Sequence, residues 1–287
     1  NADLEGWLDT EDAWIRERTG IAERRVGDST TELAVAAGRA ALERSPGAVD
    51  LVLVATITPD QVTPATASYV QAALGLEECG AFDLGAACSG FVYGLVTARG
   101  LLATGMRRIL LIGVDTLSRI TDWDDRRTAI IFADGAGAVV LEATEGEDNL
   151  LGYDLGSDGA AEGILRADLG GYLRMDGKEV FRRAVDAMVG SCGRTLDRAG
   201  RSTTDVDLVV PHQANARIIE AGLDGLGIAR AKASMVIETV GNTSAASVPL
   251  ALAAALDEGR VHEGDDVLFV GFGAGMAWAS ALLRWQG

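Results

Sequence analysis

Basic residues are scarce in this chain: 25 Lys and Arg stand against 42 Asp and Glu, for a formal net charge of −17. Nucleic acid and anionic membranes both demand a positive field, so neither is an expected partner. Histidine is scarcer still, with only His212 and His262, far apart, which leaves no histidine metal cluster to expect. The three cysteines, Cys79, Cys88 and Cys192, are odd in number and lack CxxC spacing. They suit a reducing cytoplasm better than a disulfide framework or a zinc site. Only 5 Pro and no low-complexity run occur, so no flexible linker or disordered tail is expected. Long apolar runs are also missing. The longest uncharged stretches, from Thr239 to Leu256 and from Val267 to Leu283, only reach the lower limit for a bilayer span, and Pro249 or Gly271, Gly273 and Gly275 break them. Residues Asn1 to Asp12 are acidic, with neither a basic nor an apolar signal region, and are read as no secretory leader.

What is present is a large apolar fraction, 48% of 287 residues, at a size where one domain commonly becomes two. An internal repeat organises it. Val49-Asp50-Leu51-Val52 recurs as Val206-Asp207-Leu208-Val209, an offset of 157 residues. Gly85, opening Gly85-Ala86-Ala87-Cys88-Ser89-Gly90, matches Gly241, opening Gly241-Asn242-Thr243-Ser244-Ala245-Ala246, at 156. Ile109-Leu110-Leu111-Ile112 matches Val267-Leu268-Phe269-Val270 at 158. Two similar halves are therefore expected, residues 1–150 and 151–287.

Each half carries the same order of patterns: an amphipathic helix (Thr31 to Arg44; Glu179 to Arg198), a short apolar strand, a small helix, a Gly/Ala-rich helix, and another strand. Such alternation predicts a layered α/β fold with mostly parallel pairing. Chemistry in such folds gathers where strands give way to helices, so the junction of the halves is the expected site.

Three residues lie at such ends. Cys88 opens the first Gly/Ala-rich helix, where a helix N-terminus lowers a thiol pKa and favours the reactive thiolate. A small buried hydrophobe is the alternative, and the one that fits Cys79 and Cys192. His212 follows a strand that Pro211 ends, and by itself reads as structural as readily as catalytic; His262, in a polar loop, reads as a surface residue. Asn242 alone would be a turn or cap residue. Gly271-Phe272-Gly273-Ala274-Gly275 is no dinucleotide loop, because Met276 replaces the third glycine and Ala277 to Trp285 reads as a closing strand. Ser89 is no hydrolase elbow, since Ala87 and Phe91 stand where glycines would be needed.

Taken together, the segments resemble β-ketoacyl-acyl carrier protein synthase III, a condensing enzyme of the thiolase fold. The resemblance runs from Glu11-Asp12-Ala13-Trp14-Ile15 and Arg18-Thr19-Gly20-Ile21 through Ala86-Ala87-Cys88-Ser89-Gly90-Phe91 and Phe132-Ala133-Asp134-Gly135-Ala136-Gly137-Ala138. It continues through Met175-Asp176-Gly177-Lys178-Glu179-Val180-Phe181 and Pro211-His212-Gln213-Ala214-Asn215 to Gly241-Asn242-Thr243-Ser244-Ala245-Ala246-Ser247. It implies a thiolase-like layered α-β-α-β-α fold made of two similar halves. It also implies decarboxylative condensation of an acyl-CoA primer with malonyl-acyl carrier protein, starting fatty acid or polyketide synthesis. Cys88 would be the acyl-accepting nucleophile, and His212 and Asn242 would stabilise the enolate left by decarboxylation. Backbone N–H groups of Cys88 and Ala274 would form a second oxyanion hole. Trp14 and Arg126 would flank the coenzyme A adenine, with Arg18 near the phosphates. Arg217 would dock the carrier protein, and Arg182 and Arg183 lie on the helix that begins at Glu179. The chain would be a cytoplasmic homodimer in which a loop near Gln61 to Pro64 lines the partner's acyl pocket, and Thr63, smaller than the aromatic of some relatives, would admit larger primers. No metal or resident cofactor is implied, acyl-CoA being a substrate.

Two departures stand out. The family's opening glycine-rich strand is absent ahead of Asn1, so the sequence is expected to be part of a longer chain. The segment between Asp158 and Met175 is short for the family, and either difference would alter the acyl tunnel. An acyltransferase that forms no carbon–carbon bond is the competing activity, against which Asn242 argues. A non-catalytic ketosynthase partner subunit would typically lack the nucleophile.

Overall fold

The computed structural model describes residues 1–27, 29–144, 146 and 148–286. Ten α-helices are assigned among them: α1 (Ala2–Glu5), α2 (Asp12–Thr19), α3 (Thr30–Arg44), α4 (Thr66–Ala73), α5 (Gly90–Leu102), α6 (Arg126–Ala129), α7 (Gly177–Ala199), α8 (Ala216–Leu226), α9 (Ile237–Val240) and α10 (Ser247–Asp257). The strands are β1 (Leu51–Ala55), β2 (Gly80–Leu84), β3 (Arg108–Thr116), β4 (Asp134–Glu142), β5 (Leu150–Gly156), β6 (Leu165–Arg166), β7 (Arg174–Met175), β8 (Leu208–Pro211), β9 (Asp266–Gly273) and β10 (Ala277–Arg284). Two four-stranded sheets carry the architecture, ordered β2-β1-β3-β4 and β5-β10-β9-β8.

The strands that read as continuous apolar runs do so because both faces are covered. In β1 and β3, Leu51, Leu53, Ile109 and Leu111 face the space between the sheets, where they meet Phe91, Val248, Val267 and Phe269. The alternate residues Val52, Val54, Leu110 and Ile112 face outward onto Ala34, Ala67 and Val70 of α3 and α4. Val209, Leu268 and Val270 in the second sheet face Met188, Cys192 and Leu196 of α7 in the same way. Helices α5 and α10 lie between the sheets, touching strands of both. The layers run α-β-α-β-α. Burying Phe91 completely contributes roughly 2–3 kcal/mol at the usual coefficient for apolar surface.

The repeat appears in the strand register. Leu51 pairs with Ile109 in the first sheet and Leu208 with Val267 in the second, the same pairs related by the sequence offsets. Pairing is more mixed than the alternation of elements predicts. β1–β2, β1–β3 and β8–β9 are parallel, whereas β3–β4, β9–β10 and β10–β5 are antiparallel. The connection between β9 and β10 shows why: it is the three-residue turn Ala274–Met276, far too short for a parallel crossover.

The two central helices enter through matching close approaches. A β-carbon on Gly113 of β3 would stand 2.3 Å from the Ala245 carbonyl oxygen, and one on Gly271 of β9 would stand 2.9 Å from Ser89 Cα. In each half, then, a strand glycine makes room for the turn that opens the other half's buried helix. Local signals fix the outer helices. Ser29 Oγ accepts from Glu32 N at α3, Asp176 from Glu179 N at α7, and Asn215 from Arg217 N at α8. No helix among the described residues is long and apolar enough to cross a membrane.

Candidate active site

A cavity at the junction of the halves is lined by Cys88, His212 and Asn242 together with Phe132, Phe181 and Phe272. The three residues singled out from sequence thus come from three separate turns into one space.

Cys88 is the middle residue of a 3-10 turn, Ala87–Ser89, that runs into α5. It is 7% exposed, and burial pushes its thiol up to about 12, with the charge of Asp115 acting in the same direction. This runs against the expectation from its place at a helix start, because burial disfavours the charged thiolate. Cys192 is raised to a similar value by burial, so location and not acidity sets Cys88 apart. Gly273 fits against it so closely that a β-carbon there would stand 2.8 Å from the Cys88 amide nitrogen. The glycine-rich segment Gly271 to Gly275 is therefore a packing device around Cys88, and Ala274 follows directly in the turn.

His212 leaves the end of β8, where its N–H donates to the Val270 carbonyl at 2.7 Å. Its Nδ1 lies 2.6 Å from Ser247 Oγ, and Phe272 meets the ring edge-on with centroids 5.4 Å apart. Burial pulls the imidazole down to about 3, so it is neutral throughout the physiological range. Gln213, next in the chain, uses its whole amide in the interior. Its Nε2 donates to the Pro211 and Ser234 carbonyls, and its Oε1 accepts from Val236 N and Ile237 N. That amide fixes the loop carrying His212 to the segment before Asn242.

Asn242 is held from both sides. Its backbone N–H donates to the Ile131 carbonyl at 3.1 Å, and its own carbonyl accepts from Ala133 N at 2.9 Å. Its side-chain Oδ1 accepts from Ser244 N at 3.0 Å, which leaves the NH₂ of the amide as the donor this cavity-lining residue has to offer. Asp115, fully buried at the end of β3, is a residue that sequence reasoning missed. It accepts from Thr56 Oγ1, Ile57 N and Thr58 Oγ1 in the first half and from Ala245 N in the second. A carboxylate inside an apolar strand run is the signal that could have found it.

Trp14, Arg18 and Arg126 form a cluster of their own. The Arg126 guanidinium lies 4.9 Å from the Trp14 ring centroid and that of Arg18 lies 5.8 Å away. Arg126 thus covers the Trp14 ring directly, and an adenine between them would have to displace it. Arg126 Nη1 also donates to the Asp9 carbonyl. Asn215 connects this cluster to the cavity, lining the latter while its Nδ2 donates to the Arg18 carbonyl at 3.0 Å.

Arg217, exposed near the start of α8, stands 5.9 Å over the ring of Phe181 and has no carboxylate partner among the described residues. Arg182 pairs with Glu179 and Asp186, and Arg183 with Glu179 and Asp158. Thr63 and its neighbours Gln61 to Pro64 are exposed and take no part in lining this chain's own cavity. The short segment after Asp158 forms a 3-10 turn and the β6–β7 pair, whose Leu165 and Met175 close one side of the cavity.

Comparison with known proteins places this arrangement. Residues 82–159 match the family model for 3-oxoacyl-[acyl-carrier-protein] synthase III, and residues 196–285 match the model for that family's C-terminal part. Beta-ketoacyl-[acyl-carrier-protein] synthase III 1 of Bacillus anthracis is 47% identical over 292 residues, covering 99% of this chain and 94% of the relative. The synthase III of Aquifex aeolicus superposes with a TM-score of 0.97 at 43% identity, covering 99% of this chain and 94% of its own. The priming β-ketosynthase of the R1128 polyketide pathway superposes with a TM-score of 0.93 at 36% identity, covering 99% and 91%. The chain has the thiolase fold and belongs to the 3-oxoacyl-[acyl-carrier-protein] synthase III family.

Proposed function

We propose that the chain joins an acyl group from acyl-CoA to the two-carbon unit of a malonyl thioester on acyl carrier protein, initiating fatty acid or polyketide synthesis. The observation that carries this reading is the convergence of Cys88, His212 and Asn242 on one cavity. In the first half-reaction, Cys88 Sγ attacks the acyl-CoA carbonyl; the new S–C bond replaces the bond to coenzyme A, whose thiol leaves with the proton. Backbone N–H groups of Cys88 and Ala274 hold the oxyanion of that adduct. In the second half-reaction, the malonyl carboxylate leaves as CO₂ and the resulting enolate is held by His212 and Asn242. Its carbon then attacks the acyl-Cys88 carbonyl, breaking the C–S bond and releasing the β-ketoacyl thioester, and the departing Cys88 thiolate takes a proton from water.

A neutral imidazole and an amide whose oxygen is already engaged suit the second half-reaction, because both have N–H donors to offer a developing negative oxygen. The non-condensing acyltransferase reading has no use for that pair of donors. Mass-detected acylation of Cys88 by acyl-CoA, followed by CO₂ release from malonyl-carrier, tests the proposal. Acylation without any CO₂ release would leave only the simpler acyltransferase.

In this reading Trp14, Arg18 and Arg126 bind the nucleotide end of coenzyme A, Arg217 docks the carrier, and the protein works as a cytoplasmic homodimer. The half-exposed edge strand β2 and the exposed Val62, Tyr69 and Phe82 support the dimer, since an open strand edge with apolar neighbours invites pairing. The loop bearing Thr63 would then line the partner's acyl pocket. A monomer by light scattering would remove that part of the proposal.

A further inference from the structure

Ser247 is the first residue of α10, fully buried, with its Oγ 2.6 Å from His212 Nδ1. Distance alone leaves the direction of this hydrogen bond open. A second contact settles it: the backbone N–H of Gln213 also points at Ser247 Oγ, at 3.3 Å. An amide N–H can only donate, so Oγ is an acceptor there and its single proton remains to be placed. Among the described residues, His212 Nδ1 is the only acceptor within hydrogen-bond reach of it. Had Nδ1 carried the proton instead, the serine proton would be buried with nothing to receive it, an arrangement that folded proteins avoid.

We infer that Ser247 is a positioning residue that donates to His212 Nδ1 and so holds the imidazole as the neutral Nε2–H tautomer, with that N–H presented to the cavity. Two consequences follow for the half-reactions proposed above, on which the catalytic part of this inference rests. The imidazole enters the cavity as a donor, the role that enolate stabilisation requires. Neither of its nitrogens keeps a free lone pair, so His212 is not a base for the Cys88 thiol. Phe272, edge-on at 5.4 Å, restricts the ring to the orientation that Ser247 selects.

With only two histidines in the chain, nitrogen-15 labelling of histidine tests the inference directly, and His262→Gln removes the other set of signals. The expected spectrum of the unliganded protein shows Nε2 in the protonated range and Nδ1 in the unprotonated range. Ser247→Ala is expected to give a mixture of tautomers. It should lower kcat for malonyl decarboxylation by roughly 10- to 100-fold with little change in KM, on the scale of losing one aligned donor, while acylation of Cys88 changes less than about twofold. Ser247→Thr, which keeps the hydroxyl, should keep the wild-type tautomer. A protonated Nδ1 in the wild-type protein would overturn the inference with no variant needed. So would a Ser247→Ala protein that loses both half-reactions equally, or one that retains both tautomer and rate. If His212→Ala decarboxylated malonyl thioester like wild type, the functional reading itself would fail, whichever tautomer the spectrum showed.

Discussion

Ala87 and Ser244 are both held in the left-handed backbone region, at φ 46° and 50°, and they occupy equivalent places in the two halves. Each lies in the turn that opens a buried central helix: Ala87 precedes the nucleophile candidate Cys88, and Ser244 donates its N–H to Asn242 Oδ1. Side chains other than glycine rarely adopt this conformation, which costs on the order of 1–2 kcal/mol. The repeat therefore carries a strained turn at two of the three places from which a side chain reaches the cavity.

Ala87→Gly relieves that strain but gives the unfolded chain more freedom, and the two effects nearly cancel. Its stability should lie within about 1 kcal/mol of wild type. Ala87→Val places a β-branched residue at positive φ inside a buried turn and should destabilise by about 2 kcal/mol or more. Chemical denaturation of both variants checks this; equal stability of the two would show that the turn relaxes.

Burial of His212 makes stability depend on pH in a defined window. Its folded value, about 3, lies below the ordinary imidazole value near 6.5, so the unfolded chain takes up the proton first. The contribution from keeping it neutral is intact above about pH 6.5 and is lost progressively down toward about pH 3, by roughly 1.4 kcal/mol per pH unit for this one group. Unfolding free energies for wild type and His212→Gln between pH 7 and 4 should converge as pH falls; parallel curves would contradict the buried neutral imidazole. Cys88 works in the opposite direction. With its thiol raised to about 12, alkylation by iodoacetamide should climb steadily with pH through 9 and show no plateau near neutrality.

The carrier interface should rest on few charges. Arg182 and Arg183 are engaged with Glu179, Asp186 and Asp158, which leaves Arg217, beside Phe181, as the one of the three without a carboxylate partner among the described residues. Arg217→Glu should raise KM for malonyl-carrier roughly tenfold and leave acylation of Cys88 from acyl-CoA unchanged. Salt dependence of the wild-type reaction should be shallow, because steering comes from the summed field of a strongly acidic protein. Equal loss in both half-reactions would assign Arg217 to the fold or the coenzyme A channel.

The large features were legible because they are written in contiguous sequence. The offsets that align Val49-Asp50-Leu51-Val52 with Val206-Asp207-Leu208-Val209 reappear as identical strand registers. Cys88, His212 and Asn242 each sit in a motif at the end of an element, and the fold brings those ends together. What stayed hidden depends on contacts between distant segments. The thiol of Cys88 is raised rather than lowered because its surroundings close over it, and no local pattern reports burial of a turn. Gln213 and Ser247 read as ordinary polar residues until the loop after β8 meets the start of α10. The glycines near 271–275 were recognised only as a failed nucleotide loop, since the Cys88 amide that requires Gly273 lies some 185 residues earlier in the chain.

The central claim is that Cys88 carries the acyl group while His212 and Asn242 serve only the decarboxylating half. It is tested most directly by measuring both half-reactions in three variants: covalent acylation by intact-protein mass, and CO₂ release from malonyl-carrier. Cys88→Ala should show no acylation. His212→Ala and Asn242→Ala should be acylated at near wild-type rates and lose CO₂ release by at least about 100-fold, the scale of removing one oxyanion donor. Acylation abolished in His212→Ala as completely as in Cys88→Ala would make His212 the base for the nucleophile and would contradict the account.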